Sequence, residues 1–311
     1  MASQKSKFND LGLDTKSHKD GYRALNKDGS FNVIKQNDSF FEGVNMYHSL
    51  VSMRWLHFFG LILLIYFCIN LIFAGLYMAV GLEHLTGISG INRFDKFIEA
   101  FFFSAQTITT LGYGRVAPVG TLANIIAAAE SMLGLLTFAL ATGLMYGRFS
   151  KPTATIKYST NAVLAPYKDI NAFMFRVVNP KNNQLVEVEV NVTLSLKDEN
   201  LPTRSFHLLE MERSKVIFFP SMWTVVHPIS EESPIYGYNE SELIEKDAEF
   251  IVMIKAFDES FSQTVYSRTS YKASEIKWGE KFVYLTEQKG NGLSVDIRRI
   301  NETEQKELNS N

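Results

Sequence analysis

The chain has 311 residues and a formal net charge of −2 at pH 7, so its charge gives no reason to expect a nucleic-acid partner. The chain is strongly apolar up to about residue 150 and has a mixed, soluble-looking composition beyond it, which predicts two domains. The single cysteine, Cys68, lies in an apolar run and excludes an intrachain disulfide.

The chain begins with polar and charged residues that lack the apolar core of a signal peptide. We expect residues 1–39 to form a flexible tail. Residues 40–55 place apolar side chains, among them Tyr47, Val51 and Trp55, at helical spacing. Because a membrane-length apolar run follows directly, this segment predicts an amphipathic slide helix in the membrane interface. An ordinary amphipathic core helix is the alternative.

Residues 56–150 are expected to form a transmembrane pore domain. Leu56–Val80 contains no charged residue and is long enough to cross a bilayer with some tilt, which predicts an outer helix. The next helical pattern, Asp95–Thr109, is too short to span the membrane. We therefore expect it to re-enter from the outer side, with the negative end of its dipole directed at a cation.

A glycine-rich strip follows this short helix, and it is the most informative stretch of the chain. Backbone carbonyls replace the hydration shell of a potassium ion only if all of them point to one axis. This requires alternating right- and left-handed backbone, which glycine adopts without a Cβ clash. The strip predicts a selectivity filter with potassium as its permeant ligand and no cofactor. Its residues are Thr110, Leu111, Gly112, Tyr113 and Gly114, the first four of which would hold the ion.

Two spanning helices cannot enclose a pore, so several copies of the chain must combine. A ring of carbonyls with fourfold symmetry predicts a homotetramer.

The second apolar run, Thr121–Gly147, predicts an inner helix whose one charged residue is Glu130. We expect Glu130 behind the filter, bonded to the short helix, either in support of the filter or as a satisfied buried carboxylate. On a different face, four copies of Phe138, Thr142 and Tyr146 would line a narrowing passage that gates by dewetting. Helix packing is the alternative for these three. Two further residues are candidate hinges: Gly134 and Gly143.

Basic residues cluster at one end of the two apolar runs: Arg54, Arg148, Lys151 and Lys157. An excess of such residues marks the cytoplasmic side, which places both termini inside a multi-pass protein of the cell (inner) membrane. The same residues are candidates for binding anionic lipid headgroups.

Residues 151–300 change to the alternating pattern of strands, clearest over residues 186–196, and residues 301–311 are expected to form a tail. The spacing of turns predicts a cytoplasmic β-sandwich. The expected strands are Ala172–Val178, Val186–Leu196, Ser214–Phe219, Trp223–Val226, Phe250–Phe257, Gln263–Arg268, Phe282–Thr286 and Leu293–Ile297, with a short helix at Ser241–Asp247. We see no spacing that signals enzyme chemistry, so we expect a non-enzyme.

Taken together, residues 40 to 300 resemble an inwardly rectifying potassium channel, and most of all the prokaryotic branch. The resemblance is carried by Phe101–Gly114, Ala139–Pro152, Phe175–Asn179, His227–Pro234, Ser270–Tyr271 and Glu275–Gly279. It implies an immunoglobulin-like cytoplasmic domain that tetramerises and extends the pore, and a bundle-crossing aromatic residue at Tyr146. It also implies inhibition by phosphoinositides and sensitivity to barium. The predicted fold class is thus an α + β membrane protein.

The chain departs from this family at several positions, and the positions in the pore bear on block by internal magnesium or polyamines. The cysteine pair that animal members carry around the pore loop is absent. The acidic inner-helix residue of strong rectifiers aligns with the apolar Phe138. In the cytoplasmic pore, Glu187 matches an acidic position, but Lys255 stands at another. The resemblance therefore implies weak rectification.

Two other functions stay open on the sequence. A membrane-anchored β-sandwich that binds a protein partner would need neither the re-entrant helix nor the filter glycines. A two-span cation channel of relaxed selectivity is suggested by Leu111, where the family more often has valine or isoleucine.

Overall fold

The computed structural model divides the chain into two compact units, Gln36–Lys151 and the combination of Met1–Lys35 with Pro152–Asn311. The residues that the structure describes are 22–33, 46–150, 155–181, 183–198, 203–219, 221–290 and 292–309.

The first unit is helical. Its helices are α1 (Met46–Ser52), α2 (Trp55–Val80), α3 (Arg93–Ile108) and α4 (Thr121–Phe149). Two short strands, β1 (Leu85–Thr86) and β2 (Ala117–Pro118), pair antiparallel and join the loops on either side of α3.

Both long helices, α2 and α4, are long and apolar enough to cross a membrane, close to the predicted bounds. Few of their side chains are buried within the chain, and the buried ones are Phe58, Asn70, Ala74 and Tyr77 in α2 and Ala123, Glu130 and Gly134 in α4. A core helix of a soluble protein would be mostly buried. The exposed apolar surface is what a membrane and neighbouring subunits cover.

The predicted slide helix is described from Met46 onward, and residues 40–45 lie outside the described residues. Helix α1 ends at Ser52 because Arg54 has an extended backbone (φ −62°, ψ 145°) that turns the chain into α2. The guanidinium of Arg148, at the end of α4, donates to the carbonyls of Leu50 and Met53. These carbonyls at the end of α1 have no partner within the helix, so Arg148 ties α1 to α4.

The second unit is a β-sandwich of two five-stranded sheets. The strands are β3 (Lys157–Tyr158), β4 (Ala162–Tyr167), β5 (Ile170–Val178), β6 (Leu185–Lys197), β7 (Arg204–Leu209), β8 (Lys215–Phe219), β9 (Met222–Pro228), β10 (Glu249–Asp258), β11 (Gln263–Lys272) and β12 (Ile276–Trp278). In one sheet the order is β11-β10-β6-β7 with β8 also paired to β6, and in the other it is β12-β4-β5-β3 with β9 also paired to β5.

Smaller elements complete this unit. They are α5 (Glu240–Glu245), β13 (Glu280–Phe282), β14 (Thr286–Lys289), β15 (Gly292–Val295) and β16 (Thr303–Gln305), with β13 paired to β16 and β14 to β15. The core between the sheets includes Phe173 of β5 stacked on Phe250 of β10, with ring centroids 4.3 Å apart. The predicted strand Phe282–Thr286 is divided between β13 and β14.

Both expected tails contain ordered segments. Residues 22–33 pack on the β-sandwich, where Leu25 is buried and Arg23 forms an ion pair with Glu275. Burial alone would raise the pKa of Glu275, but the backbone N–H of Lys272 and the cations of Arg23 and Lys27 outweigh burial and lower that pKa. At the other end, β16 lies within the expected tail 301–311. These residues are fixed by contacts to distant parts of the chain, which local sequence patterns do not reveal.

Candidate ion-conduction site

The short helix α3 is held in place at its start and along its length. At its start, the Asn92 side chain accepts a hydrogen bond from the backbone N–H of Asp95 at 2.8 Å and so caps the helix. Along its length, Ala100 and Phe103 pack with Ala74 and Tyr77 of α2 in one apolar cluster. The helix ends at Ile108, directly before the glycine-rich strip.

Left-handed backbone occurs at every second residue of that strip. The φ angles are +57° at Thr110, +52° at Gly112 and +79° at Gly114, while Leu111 and Tyr113 between them have no positive φ. Alternation of this kind turns successive carbonyls to the same side of the chain, as an ion-coordinating row requires. The sequence indicated left-handed backbone for the two glycines. Thr110 shares it although only a few per cent of non-glycine residues do.

Hydrogen bonds to α3 hold the N–H side of the strip. Leu111 donates to the carbonyl of Gln106 at 2.8 Å, Gly112 donates to the same carbonyl at 3.4 Å, and Thr110 donates to Thr107 at 3.0 Å. Among the described residues, nothing donates to the carbonyls of residues 110–113. The strip is thus anchored through its N–H groups, with its carbonyl oxygens free to bind a cation.

A buried polar network lies behind the strip. Glu130 of α4 has no exposed surface and accepts from the Tyr77 hydroxyl at 2.7 Å and from the Ser104 hydroxyl. Ser104 lies 2.9 Å from Asn70 Oδ1, and Asn70 Nδ2 donates to the Tyr66 carbonyl. One carboxyl group therefore connects α2, α3 and α4. The structure places Glu130 beside α3 and away from the exposed face of α4.

Three members of this network were not identified from the sequence: Asn70, Tyr77 and Ser104. A signal was present, because Asn70 and Tyr77 lie two helical turns apart and so share one face of an apolar helix. A polar residue inside a membrane span usually faces protein, and a search for such residues would have found this pair.

The two candidate hinge glycines differ in their surroundings. A Cβ on Gly134 would lie 2.2 Å from the carbonyl oxygen of Ile108, so this glycine permits close contact between α4 and the end of α3. A Cβ on Gly143 would meet nothing within 4 Å. Helix α4 is assigned without a break across both positions. Gly134 is therefore first of all a packing position.

The predicted gate residues lie on the exposed face of α4. Phe138, Thr142 and Tyr146 are all exposed in the single chain. Phe138 also lines an apolar cavity that includes Thr109 and Thr110 at the inner end of the filter, together with Ile62 of α2. Phe138 therefore shares a cavity with the residues at the inner end of the filter.

The predicted lipid-binding residues are not brought together in one described site. Arg54 is exposed at the start of α2. Arg148 is used within the chain, where its guanidinium also lies 4.6 Å from the ring centre of Trp55 and 4.5 Å from that of Phe58. Lys151 lies outside the described residues, and Lys157 is exposed in β3 of the other unit.

The two cytoplasmic-pore candidates lie on neighbouring strands. Glu187 interrupts β6 with a φ of +50° at a bulge, and its carboxylate lies 3.6 Å from the Lys215 ammonium. Lys255 of β10 pairs with Glu189. Each candidate thus has a residue of opposite charge beside or opposite it.

Comparison with known proteins shows which family the chain matches. Residues 156–310 match the inward rectifier potassium channel C-terminal domain, and residues 61–151 match the ion channel family. The inward rectifier potassium channel Kirbac3.1 of Paramagnetospirillum magnetotacticum is 36% identical, over 84% of this chain and 88% of that protein.

Animal channels are also similar. The G protein-activated inward rectifier potassium channel 2 of Mus musculus is 27% identical, over 90% of this chain and 71% of that protein. The ATP-sensitive inward rectifier potassium channel 12 of Gallus gallus is 28% identical, over 83% of this chain and 65% of that protein. The predicted resemblance and fold class are confirmed, and the chain belongs to the inward rectifier potassium channel family.

Proposed function

We propose that four copies of this chain form a potassium channel whose filter is the strip from Thr110 to Gly114. The observation that carries the proposal is the alternation of left-handed backbone along this strip together with its free carbonyls. Four such rows around one axis would replace the water around a potassium ion at successive positions. The ion is the transported substrate, and no covalent chemistry is needed.

The proposed gate is formed by the inner helices. Tyr146 and Phe138 are large, exposed and apolar on one face of α4. In a tetramer, four copies of each would surround the axis on the cytoplasmic side of the filter. A ring of aromatic side chains excludes water when it narrows, and an ion that cannot keep its hydration does not pass.

The proposed orientation places both termini in the cytoplasm of a cell whose inner membrane the two helices cross. Arg54 and Arg148 lie at the same end of the two spans, and Lys151 and Lys157 follow. We propose that anionic phosphoinositides bind at this end and inhibit the channel. Because Arg148 is engaged with α1, it would transmit the effect of a lipid, while the exposed Arg54 at the start of α2 would contact its phosphates.

A less selective cation channel is the second candidate. Leu111 favours it, because leucine branches at Cγ, whereas the valine or isoleucine more often found at this position branches at Cβ and packs differently behind the filter. The ligand at position 111 is nevertheless a carbonyl, and its N–H is held by Gln106 in the same way as that of Gly112. We therefore propose selectivity for potassium.

Cation uptake by liposomes that contain the purified protein tests this function. We expect barium-sensitive uptake of rubidium that clearly exceeds uptake of sodium, and lower rubidium uptake when the liposomes contain phosphoinositide. The substitution Gly112→Ala should abolish uptake, because it places a Cβ where φ is +52°.

Gly290→Ala is the matched control, because Gly290 also has a positive φ (+63°) and open space around it. It should leave uptake unchanged. Equal uptake of sodium and rubidium would favour the less selective channel. Uptake that phosphoinositide raises or leaves alone would refute inhibition by lipid while leaving conduction intact.

A further inference from the structure

The buried polar network behind the filter allows its hydrogens to be counted. Ser104 Oγ lies 2.9 Å from Asn70 Oδ1 and also contacts one carboxyl oxygen of Glu130. The Tyr77 hydroxyl lies 2.7 Å from the other carboxyl oxygen. Each of these three contacts joins two oxygen atoms, so each needs one hydrogen between them. The network therefore requires three hydrogens.

The orientation of the Asn70 amide is fixed by its backbone partner. Its Nδ2 donates to the Tyr66 carbonyl at 2.7 Å, so Oδ1 is the atom that faces Ser104. A reversed amide would place Oδ1 against a carbonyl oxygen, where no hydrogen is available. Asn70 therefore contributes no hydrogen to the three contacts.

The two hydroxyl groups supply only two of the three hydrogens, because Ser104 and Tyr77 carry one each. If Glu130 is ionised, it accepts from both hydroxyls, and Ser104 then has no hydrogen for Asn70. A hydrogen on the carboxyl completes the set. Glu130 then donates to Ser104, which in turn donates to Asn70. The Tyr77 hydroxyl donates to the second carboxyl oxygen.

The surroundings of Glu130 also favour its neutral form. The residue has no exposed surface, and no cation among the described residues offsets a charge on it. Burial of an isolated carboxylate is costly, and such a group usually takes up a proton instead. Of the helices packed against it, α2 presents one titratable group, Tyr77, and α3 presents the uncharged Ser104. The described network therefore contains nothing that stabilises an ionised Glu130.

We propose that Glu130 is a neutral carboxylic acid and that its hydrogen positions the filter. The hydrogen ties Ser104, and with it α3, to the network. Two residues after Ser104, the carbonyl of Gln106 accepts from the filter N–H groups at positions 111 and 112. Glu130 is thus a positioning residue, which acts on the filter through α3. This inference rests on the proposed conduction of potassium by four copies of the chain.

Substitutions at position 130 separate the role of a hydrogen-bond donor from that of a negative charge. In Glu130→Gln the amide nitrogen can donate to Ser104 and the amide oxygen can accept from Tyr77, so rubidium uptake at pH 7 should match that of the wild type. Glu130→Leu leaves both hydroxyls without this partner and should lower uptake roughly tenfold or more. If a negative charge were required, both variants would lose uptake.

Infrared absorption of the purified protein in membranes tests the proton directly. A protonated carboxyl has a carbonyl stretching band that is separate from the bands of ionised carboxylates and of the peptide backbone. We expect this band in the wild type at pH 7 and its loss in Glu130→Gln. Glu259→Gln, a change at an exposed carboxylate of the β-sandwich unit, is the matched control and should keep the band.

The pH profile of rubidium uptake tests the positioning role. Buried carboxyl groups titrate as high as about pH 9, so a rise from pH 7 to about pH 10 should remove the proton. Wild-type uptake should then fall roughly fivefold or more, because the contact with Ser104 loses its hydrogen. Glu130→Gln cannot lose this hydrogen, so its uptake should change much less. Titration of Tyr77 or of surface groups would lower uptake in both proteins alike.

A wild type without the carboxyl band at pH 7, or a band that persists in Glu130→Gln, would overturn the proposal. An equal fall of uptake at alkaline pH in these two proteins would overturn the positioning role. If Glu130→Leu fails to assemble, the infrared and pH comparisons still decide the matter, since they use only Glu130→Gln. A protein that shows the band but takes up no rubidium would instead refute the proposed function, so the two failures are distinguishable.

Discussion

At the scale of single residues, Glu130 and Phe138 decide whether the exposed face of the inner helix carries a negative charge. Glu130 is the one acidic residue of α4, and it is buried with its oxygens bonded to Tyr77 and Ser104. Phe138, on the exposed face, offers no charge to a blocking polyamine or to magnesium. In the β-sandwich, Glu187 lies beside Lys215. These environments favour the weak rectification that the family resemblance implies, which stays a prediction.

The substitution Phe138→Asp should strengthen block by internal spermine. It adds a carboxylate to the face of α4 that also borders the inner end of the filter, and four copies would attract a polycation. We expect the spermine concentration for half block to fall at least tenfold in currents from planar bilayers, roughly the effect of 1.4 kcal/mol of added attraction. Phe138→Asn removes the ring without adding charge and is the control. Equal block in the two variants would place Phe138 off the conduction path.

At the level of elements, contact between α3 and α4 connects the inner helix to the filter. The Gly134 backbone approaches the carbonyl of Ile108, and one turn earlier Glu130 is hydrogen-bonded to Ser104 of α3. The filter begins at Thr110, two residues after Ile108. A shift of α4 at this contact therefore moves the end of the helix that holds the filter N–H groups.

Gly134→Ala should disturb this contact, whereas Gly143→Ala should not. The added Cβ at Gly134 meets backbone, and overpacking of this kind costs about 1–3 kcal/mol. At Gly143 the Cβ meets nothing in its own chain, and replacing glycine in a helix contributes roughly 0.5–1 kcal/mol of stability. We expect a lower melting temperature and a lower rubidium-to-sodium uptake ratio for Gly134→Ala alone. A change in that ratio in Gly143→Ala but not in Gly134→Ala would contradict this role.

Regular elements could be predicted from the sequence where their pattern is local. The uncharged length of α2 and the alternation along β6 gave bounds within a few residues of those observed. Strand β4 was missed because Val163, Leu164 and Ala165 are all buried, so the strand shows no alternation. In β6, the bulge at Glu187 changes the phase, so Leu185 is in the core and Val186 is only half-buried.

The backbone conformation of the filter could be predicted from the sequence more completely than the contacts around the filter. Glycine reveals left-handed backbone at positions 112 and 114, but a threonine gives no such sign, so the conformation of Thr110 was found only in the structure. The ion pair of Glu99 with Arg115 joins residues from two sides of the filter. The contact of Arg23 with Glu275 joins residues near opposite ends of the chain. Long-range contacts of this kind leave no local pattern.

At the scale of the whole molecule, a single chain leaves the residues of its filter and its inner-helix face exposed. Leu111 and Tyr113 of the filter and Tyr146 of the inner helix are largely exposed. An apolar surface of this extent on two membrane-length helices is stable only when lipid and further copies cover it. Fourfold assembly would cover these residues and direct the free carbonyls to a common axis.

The most direct test of this account is the structure of the assembled protein with rubidium in place of potassium, with the ion located by its anomalous scattering. We expect a tetramer with rubidium on its fourfold axis, between the carbonyl oxygens of Thr110, Leu111, Gly112 and Tyr113. A tetramer whose axis holds no rubidium at these carbonyls, or an assembly without fourfold symmetry, would contradict the account.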